Sequence, residues 1–433
     1  VKKLLETQDL YTNFYTFEGV VKALNGVNLM VNHGETYGLV GESGCGKSVS
    51  VRSMMQIVQE PGRIDGGKIL LFGNDDERGR AVDMLTRSDA YMQSIRGNSI
   101  SMIFQEASTS LNPVLSIGEQ VGESFFFHRL GEMLERTIHS VDEDLERRRF
   151  PIRRWWLHFQ RSLYSMELTR LRLYERLVAD IDKQLLELEL KTDSASVRRR
   201  NSLNHHRDSL RRTDGVVEFV KGFPFLRRYY KRLNRVVRSA VIDVMTQLGI
   251  PNPGNIVDRY PHELSGGMQQ RIVIAIALSC HPVLLIADEP TSNLDVTIQA
   301  QIVELIRQLK ETVITSVLFI THDLGLVAEI CDRVTVMYAG DTCETAAVRS
   351  LFKAPLHPYT HGLLNSVPGV EQVGELNTIP GTVPNLVHPP SGCRFHPRCP
   401  KAMDICKREK PATIEYEQDH FVACHLYTGK DDK

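Results

Sequence analysis

The stretch ETYGLVGESGCGKSVSVRSMM, residues Glu35 to Met55, decides how the chain must fold around it. An apolar run predicts a buried strand, a glycine-rich turn follows, and the pattern then becomes helical. Gly41 to Ser48 satisfies G-x-x-x-x-G-K-[ST] in full. Gly41, Gly44 and Gly46 let the backbone curl so that its N–H groups point at phosphate oxygens, beside the positive end of the helix that starts near Lys47. Ser43, Cys45 and Val49 complete the expected phosphate cradle. Lys47 is expected to reach the outer phosphates and Ser48 to hold Mg²⁺. A glycine turn matching by chance is disfavoured because strand and helix flank it in the right order.

Downstream, HPVLLIADEPTSNLD (His281 to Asp295) contains a short apolar strand, Val283 to Ala287, that ends in two carboxylates. Asp288 stands where a phosphate-loop protein orders Mg²⁺, and Glu289 where one polarises an attacking water. A strand ending in acidic residues is by itself more often a structural turn. With a phosphate loop upstream, the catalytic reading takes precedence.

The bulk properties agree with a multidomain globular protein. At 433 residues the chain has room for two or three units with real cores. A net charge of −1 with 42% hydrophobic residues excludes a disordered chain or one that coats nucleic acid along its whole length. No run of about 18 apolar residues predicts a membrane span, and the first residues lack a secretory pattern, so the cytosol is the expected location.

Between phosphate loop and carboxylates stands ELSGGMQQR, Glu263 to Arg271, and after them LFITHDLG, Leu318 to Gly325. LSGGMQQR resembles the signature of ABC-type ATPases, and the other motifs follow in that family's order over roughly residues 1–125 and 236–433. The fold this resemblance implies is α/β: an ABC-type nucleotide-binding domain with a RecA-like core, an antiparallel β subdomain and a helical subdomain. It further implies ATP and Mg²⁺ as ligands. Gln105 in MIFQEASTSLNP becomes the Q-loop glutamine, a catalytic and Mg²⁺-contacting group with Ser48 and Asp288. Asp295 belongs to the D-loop and His322 is the switch histidine. Phe14 in YTNFYTFEG is the expected adenine-stacking aromatic, with Tyr15 close behind. Ser265, Gly266 and Gly267 open a helix whose N–H groups suit a γ-phosphate, which in this family is held by the partner subunit's phosphate loop.

The wording LVGESGCGKSVSVR, FQEASTSLNPVLSIGEQ, RYPHELSGGMQQR and LHPYTHGLL is similar to oligopeptide/dipeptide-type transporter ATP-binding subunits, and KSVSVR with PGRI to their D-type subunit. That resemblance implies a heterodimer with an F-type subunit, two membrane-spanning permeases, an extracellular substrate-binding protein, and a place on the cytoplasmic side of the membrane. The solute is a peptide or, as in some members, a sugar. Two departures stand out: Ala107 replaces the proline usual after the Q-loop, and Asn293 the usual alanine of the D-loop.

Gln105 and Ser265 are 160 positions apart, about 100 more than such proteins need, so residues 128–235 read as a helical insertion between 1–127 and 236–345, with 346–433 as a C-terminal extension. Apolar residues at three- and four-residue spacing in MELTRLRLYERLVADIDKQLLELEL predict long helices, a hairpin turning near KTDSAS. The segment holds about 25 Lys and Arg against about 16 Asp and Glu, a local excess of about +9. A solvated helical surface accounts for such runs, and so does contact with anionic lipid or an acidic partner, for which Trp155, Trp156, Tyr229 and Tyr230 are well placed. The alternative is an ABC-type ATPase of DNA maintenance with a short coiled coil; the insert's length and its lack of a cysteine pair argue against it.

Half of the eight cysteines, Cys393, Cys399, Cys406 and Cys424, fall in the extension with spacing C-x₅-C-x₆-C-x₁₇-C, after a Pro/Gly-rich run from Val367 to Pro390 that reads as a linker. A reducing compartment disfavours disulfides. Spacing alone leaves zinc, with His396, His420 or His425 as substitutes, and an iron–sulfur cluster both open. The family resemblance implies a [4Fe–4S] cluster on these four cysteines, acting as a structural staple. Cys45, at a helix N-terminus beside Lys47, is expected to have a lowered pKa and to be readily alkylated.

Overall fold

The computed structural model describes residues 2–73, 81–105, 107–147, 151–189, 193–210, 227–292, 294–313, 316–366 and 379–428. These fall into two compact units, one of residues 1–86, 100–106 and 283–433, the other of residues 87–99 and 107–282.

The first unit contains both sheets. Strands β1 (Lys3–Thr16), β2 (Gly19–Asn32), β4 (Gly62–Phe72) and β5 (Ala81–Asp83) form an antiparallel sheet in the order β2-β1-β4-β5. The core sheet runs β11-β12-β10-β9-β3-β8-β7-β6. Its centre is β3 (Thr36–Val40), β8 (Ser316–Thr321) and β7 (Leu284–Asp288), each buried along its whole length. That is why they read as continuous apolar runs: a parallel strand covered on both faces has no solvent side on which to alternate. β6 (Ile100–Ile103) pairs parallel with β7, and β9 (Arg333–Tyr338) parallel with β3. In register, Val40 faces Thr321 across β3 and β8, and Asp288 faces Ile320 across β7 and β8. The phosphate loop, the paired carboxylates and His322 therefore leave the sheet at the same edge, the carboxyl ends of parallel strands.

The C-terminal extension adds to this sheet. β10 (Asp341–Ala347) runs antiparallel to β9, β12 (His420–Val422) pairs with β10 through Glu344 and Val422, and β11 (Ile414–Glu417) pairs with β12. The expected linker is only partly accessible: residues 367–378 lie outside the described residues, while Ile379, Val383 and Leu386 pack on the cluster of Tyr338, Tyr359 and Phe395.

All regular elements described in the second unit are helical. The 117–128 helix starts with a reciprocal Ser116–Glu119 capping box. The 130–147 helix buries Met133, Leu134, Thr137 and Val141 along one stripe. It runs antiparallel to the 39-residue helix Pro151–Glu189, because Arg161 pairs with Asp142 at 2.6 Å and Arg172 with Glu135 at 2.6 Å. The 194–209 helix is capped by Asp193, which accepts from the Ser196 N–H at 3.0 Å. Residues 191 and 192 of the expected turn lie outside the described residues. Trp155 is exposed and Trp156 half-buried; the side chains of Tyr229 and Tyr230 lie outside the description.

Candidate functional site

The phosphate loop is shaped by backbone that only glycine tolerates. Gly41 has φ 152° and a Cβ there would sit 2.2 Å from the Met337 carbonyl; Gly46 has φ 103° and presses on the Ala23 carbonyl. The loop is tied to the turn after β9, where the Gly340 N–H donates to the Cys45 carbonyl at 2.8 Å. Lys47, buried at the start of the 47–54 helix, donates to the carbonyls of Gly41 at 2.7 Å and Glu42 at 3.2 Å. Its ammonium is thus seated over the loop rather than extended into solvent.

Ser48 follows on the same helix and donates its hydroxyl to Asp288 Oδ1 at 3.0 Å. Asp288 is 1% exposed, and burial raises its carboxyl above the ordinary range, with Ser48 and Arg52 working in the opposite direction. A hard-oxygen pair of this kind, one hydroxyl and one buried carboxylate, matches what Mg²⁺ takes from protein beside phosphate oxygens.

Glu289 sits one residue further on, at φ 47°, a left-handed conformation that costs a non-glycine residue on the order of 1 kcal/mol. Its N–H is held by the Ile320 carbonyl at 2.9 Å. The strained backbone turns the carboxylate away from Asp288 into a ring of polar groups. Gln105 Nε2 donates to Oε2 at 3.0 Å, the Ser292 hydroxyl to the same oxygen at 2.9 Å, and His322 Nδ1 lies 3.3 Å from Oε1. These residues line a groove of about 330 Å³ with Thr291, Gln299, Thr321, Asp323 and Leu326. Gln105, Glu289 and His322 were singled out from three separate motifs, and the fold brings them to one carboxylate. Ser292 was not; its three-residue offset from Glu289 was the available signal.

Asp295 is exposed and accepts from the Ile298 N–H at 2.9 Å, opening the 296–313 helix. Ser265, Gly266 and Gly267 begin the 266–278 helix of the second unit, with Ser265 at the N-cap making no side-chain cap bond and both Ser265 and Gly266 exposed. Asn293 and the Ala107 side chain lie outside the described residues.

One expectation needs correction. Cys45 is 1% exposed, and burial raises its thiol pKa despite Lys47 nearby. The desolvation cost of a thiolate under the β9 backbone outweighs the favourable charge. Phe14 is half-buried and faces Gly62, whose Cβ position its ring approaches to 2.6 Å. Tyr15 spends its hydroxyl on Asp65 at 2.9 Å. Phe17, in the tight turn between β1 and β2, is fully exposed and is the aromatic there with a free face.

The four tail cysteines are neighbours: the Cys393 thiol is pushed up to about 12, by burial first and then by Cys406, Cys424 and Cys399. Yet among the described residues no three His, Cys, Asp or Glu side chains are arranged to hold a metal ion. The histidines considered as substitutes are engaged elsewhere, His420 with Glu344 at 2.8 Å, His425 with the Glu409 carbonyl at 2.9 Å and His396 with the Cys393 carbonyl at 2.9 Å. Cys393 and Cys399 pack against the Tyr338–Tyr359–Phe395 cluster. As arranged, the described residues form neither a [4Fe–4S] nor a zinc site, and Cys393 and Cys399 pack as small apolar side chains.

Comparison with known proteins accords with this geometry. The ABC transporter family profile matches residues 24–292, and that of the oligopeptide/dipeptide transporter C-terminal region matches residues 343–406. The oligopeptide transport ATP-binding protein AppD of Bacillus subtilis (strain 168) is 37% identical over 426 residues, 98% of this chain and 97% of the relative. The dipeptide transport ATP-binding protein DppD of the same organism is 36% identical over 428 residues, 98% and 95% of the two chains. Its oligopeptide transport ATP-binding protein OppD is 37% identical over 429 residues, 98% and 89%. These matches span nearly the whole of both chains and favour transport over the DNA-maintenance alternative. The chain belongs to the ABC transporter family, as an ATP-binding and ATP-hydrolysing protein of the oligopeptide/dipeptide type.

Proposed function

We propose that the chain hydrolyses ATP to drive import of peptides through partner permeases supplied by a substrate-binding protein, working from the cytoplasmic face. The observation that carries the reading is the Glu289 carboxylate, aimed by Gln105, Ser292 and His322 and set one residue from the Ser48–Asp288 pair. Lys47 and the loop N–H groups from Ser43 to Val49 bind the phosphates. Ser48 and Asp288 would hold Mg²⁺, with Gln105 as a further ligand, and the ion would supply charge neutralisation at the outer phosphates. Glu289 takes the proton of the attacking water; Gln105 and His322 fix the carboxylate's direction, and His322 faces the terminal phosphate. Phe17 offers the adenine-stacking face. Ser265, Gly266, Gly267 and Asp295 complete the site of a second ATP-binding subunit, of the F-type, which does the same in return. The described helices between residues 128 and 235 carry exposed Arg153, Arg154, Arg198 and Arg199. No described helix is long and apolar enough to cross a membrane, which is consistent with permeases supplying the pathway.

The test is Glu289→Gln in the assembled complex. ATP binding should persist while turnover falls by about 10²–10⁴, the usual worth of a general base. Turnover at the wild-type rate would remove Glu289 from the base role.

A further inference from the structure

The phosphate loop contains one carboxylate of its own. Glu42 stands between Gly41 and Ser43, next to the N–H groups that face phosphate, where a free negative charge would oppose a polyanion. Its partner comes from the cysteine-bearing extension, 356 residues away in sequence. Arg398 Nη1 donates to Glu42 Oε2 at 2.7 Å and Nη2 to Oε1 at 3.1 Å, a two-toothed pair.

The guanidinium is itself built in. Its side chain is 7% exposed, Nε donates to the Pro380 carbonyl at 2.9 Å, and Nη2 also reaches the Ile379 carbonyl at 3.3 Å. The Tyr338 ring lies beneath it at 5.6 Å, with its hydroxyl 3.3 Å from Nη1. The fork therefore has little freedom to leave Glu42. A second contact from the extension acts on the same residue: the Glu42 N–H donates to the Tyr359 hydroxyl at 3.0 Å. Nearby, buried Arg394 donates to the Ala339 carbonyl and to the Lys22 carbonyl at 3.1 Å, holding the turn that carries Gly340 against the loop.

We propose that Arg398 is a positioning residue for the nucleotide site: it neutralises Glu42 and points that carboxylate away from the phosphates, so that the extension sets the ATP affinity of the loop. This rests on the loop binding ATP, as inferred above. The extension is then part of the binding machinery and not an appendage to it. Lysine at this position would keep the charge but lose the fork.

The experiment is a double-mutant cycle on full-length protein, reading the dissociation constants of MgATP and of adenosine. Wild-type binding of MgATP is the control on the underlying reading; its absence would sink the ATP site itself rather than this proposal. Arg398→Gln should weaken MgATP by about tenfold and leave adenosine within about twofold, because only the phosphates feel the released carboxylate. Arg398→Lys should fall between, and adding Glu42→Gln to Arg398→Gln should recover most of the lost affinity. A general loss of fold would weaken adenosine equally and would not be rescued by a second substitution. MgATP binding by Arg398→Gln at the wild-type level, equal loss of both ligands, or a double variant no tighter than the single one would each overturn the proposal. If Arg398→Gln does not fold, the same cycle is read with Arg398→Lys and Glu42→Gln/Arg398→Lys, and absence of rescue there overturns it.

Discussion

His357 should make this protein acid-labile in a narrow window, and its burial sets the sign. The residue caps the 358–365 helix, its Nδ1 accepting the Tyr359 N–H at 3.0 Å while its own N–H donates to Glu344. The ring is 2% exposed and lies against Phe395. Burial holds its pKa down at about 4, against 6.5 for an exposed histidine, with Glu344 pulling the other way. As pH falls through about 6.5 the unfolded chain takes up a proton that the folded chain refuses until about 4, so stability is intact at neutral pH and is lost downward across that interval. At pH 5 the unfolded histidine is about 97% protonated and the folded one about 10%, which lowers stability by about 2 kcal/mol relative to pH 7.5. His357→Asn keeps a side-chain acceptor for the Tyr359 N–H and cannot titrate. Chemical denaturation of both proteins at pH 7.5 and 5.0 isolates the effect as a difference of differences, since Glu344 and other carboxylates are common to both. Wild type should lose about 2 kcal/mol more than the variant. Equal losses would refute the assignment of the acid window to this ring.

Two further outcomes follow from the site. Cys45 should react with small alkylating reagents more slowly than an exposed thiol at pH 7.5, because burial raises its pKa; labelling at the rate of free cysteine, followed by peptide mass mapping, would contradict the buried placement. Phe17→Ala should weaken MgATP by about tenfold, in the range of one lost aromatic stack, while Phe14→Leu leaves affinity within about twofold; calorimetric titration giving the reverse order would return the stacking role to Phe14.

The parts that could be read from sequence were those in which neighbours along the chain determine the chemistry. Gly41 to Ser48 works through its own backbone, and the apolar runs of β3, β7 and β8 announce strands buried on both faces. Glu289 was identifiable because it ends such a strand. What stayed hidden depends on segments far apart. Cys45 has the motif of an activated thiol and loses that character only because Gly41, Met337 and Gly340 close over it. Phe14 and Phe17 are indistinguishable in a short aromatic string until the turn at Gly19 shows which ring is outside. Arg398 sits in an ordinary-looking HPRCP, and nothing in its neighbours says that its partner is Glu42. The cysteine spacing showed that the thiols would gather, but not that His396, His420 and His425 would be bonded elsewhere.

β12 lies beside β10, with Val422 opposite Glu344, and the His420 ring donates into the same buried carboxylate that holds the N–H groups of Leu356 and His357. During synthesis on the ribosome, β3 at residues 36–40 and its phosphate loop emerge nearly four hundred residues before that strand. Residues 107–282, by contrast, emerge as an unbroken stretch and can pack their helices while the sheet is still incomplete. The nascent chain therefore carries its phosphate-binding motif for most of translation on a strand whose partners β8 and β9 have not yet been made, and acquires the Glu42 clamp only when Arg398 has been made.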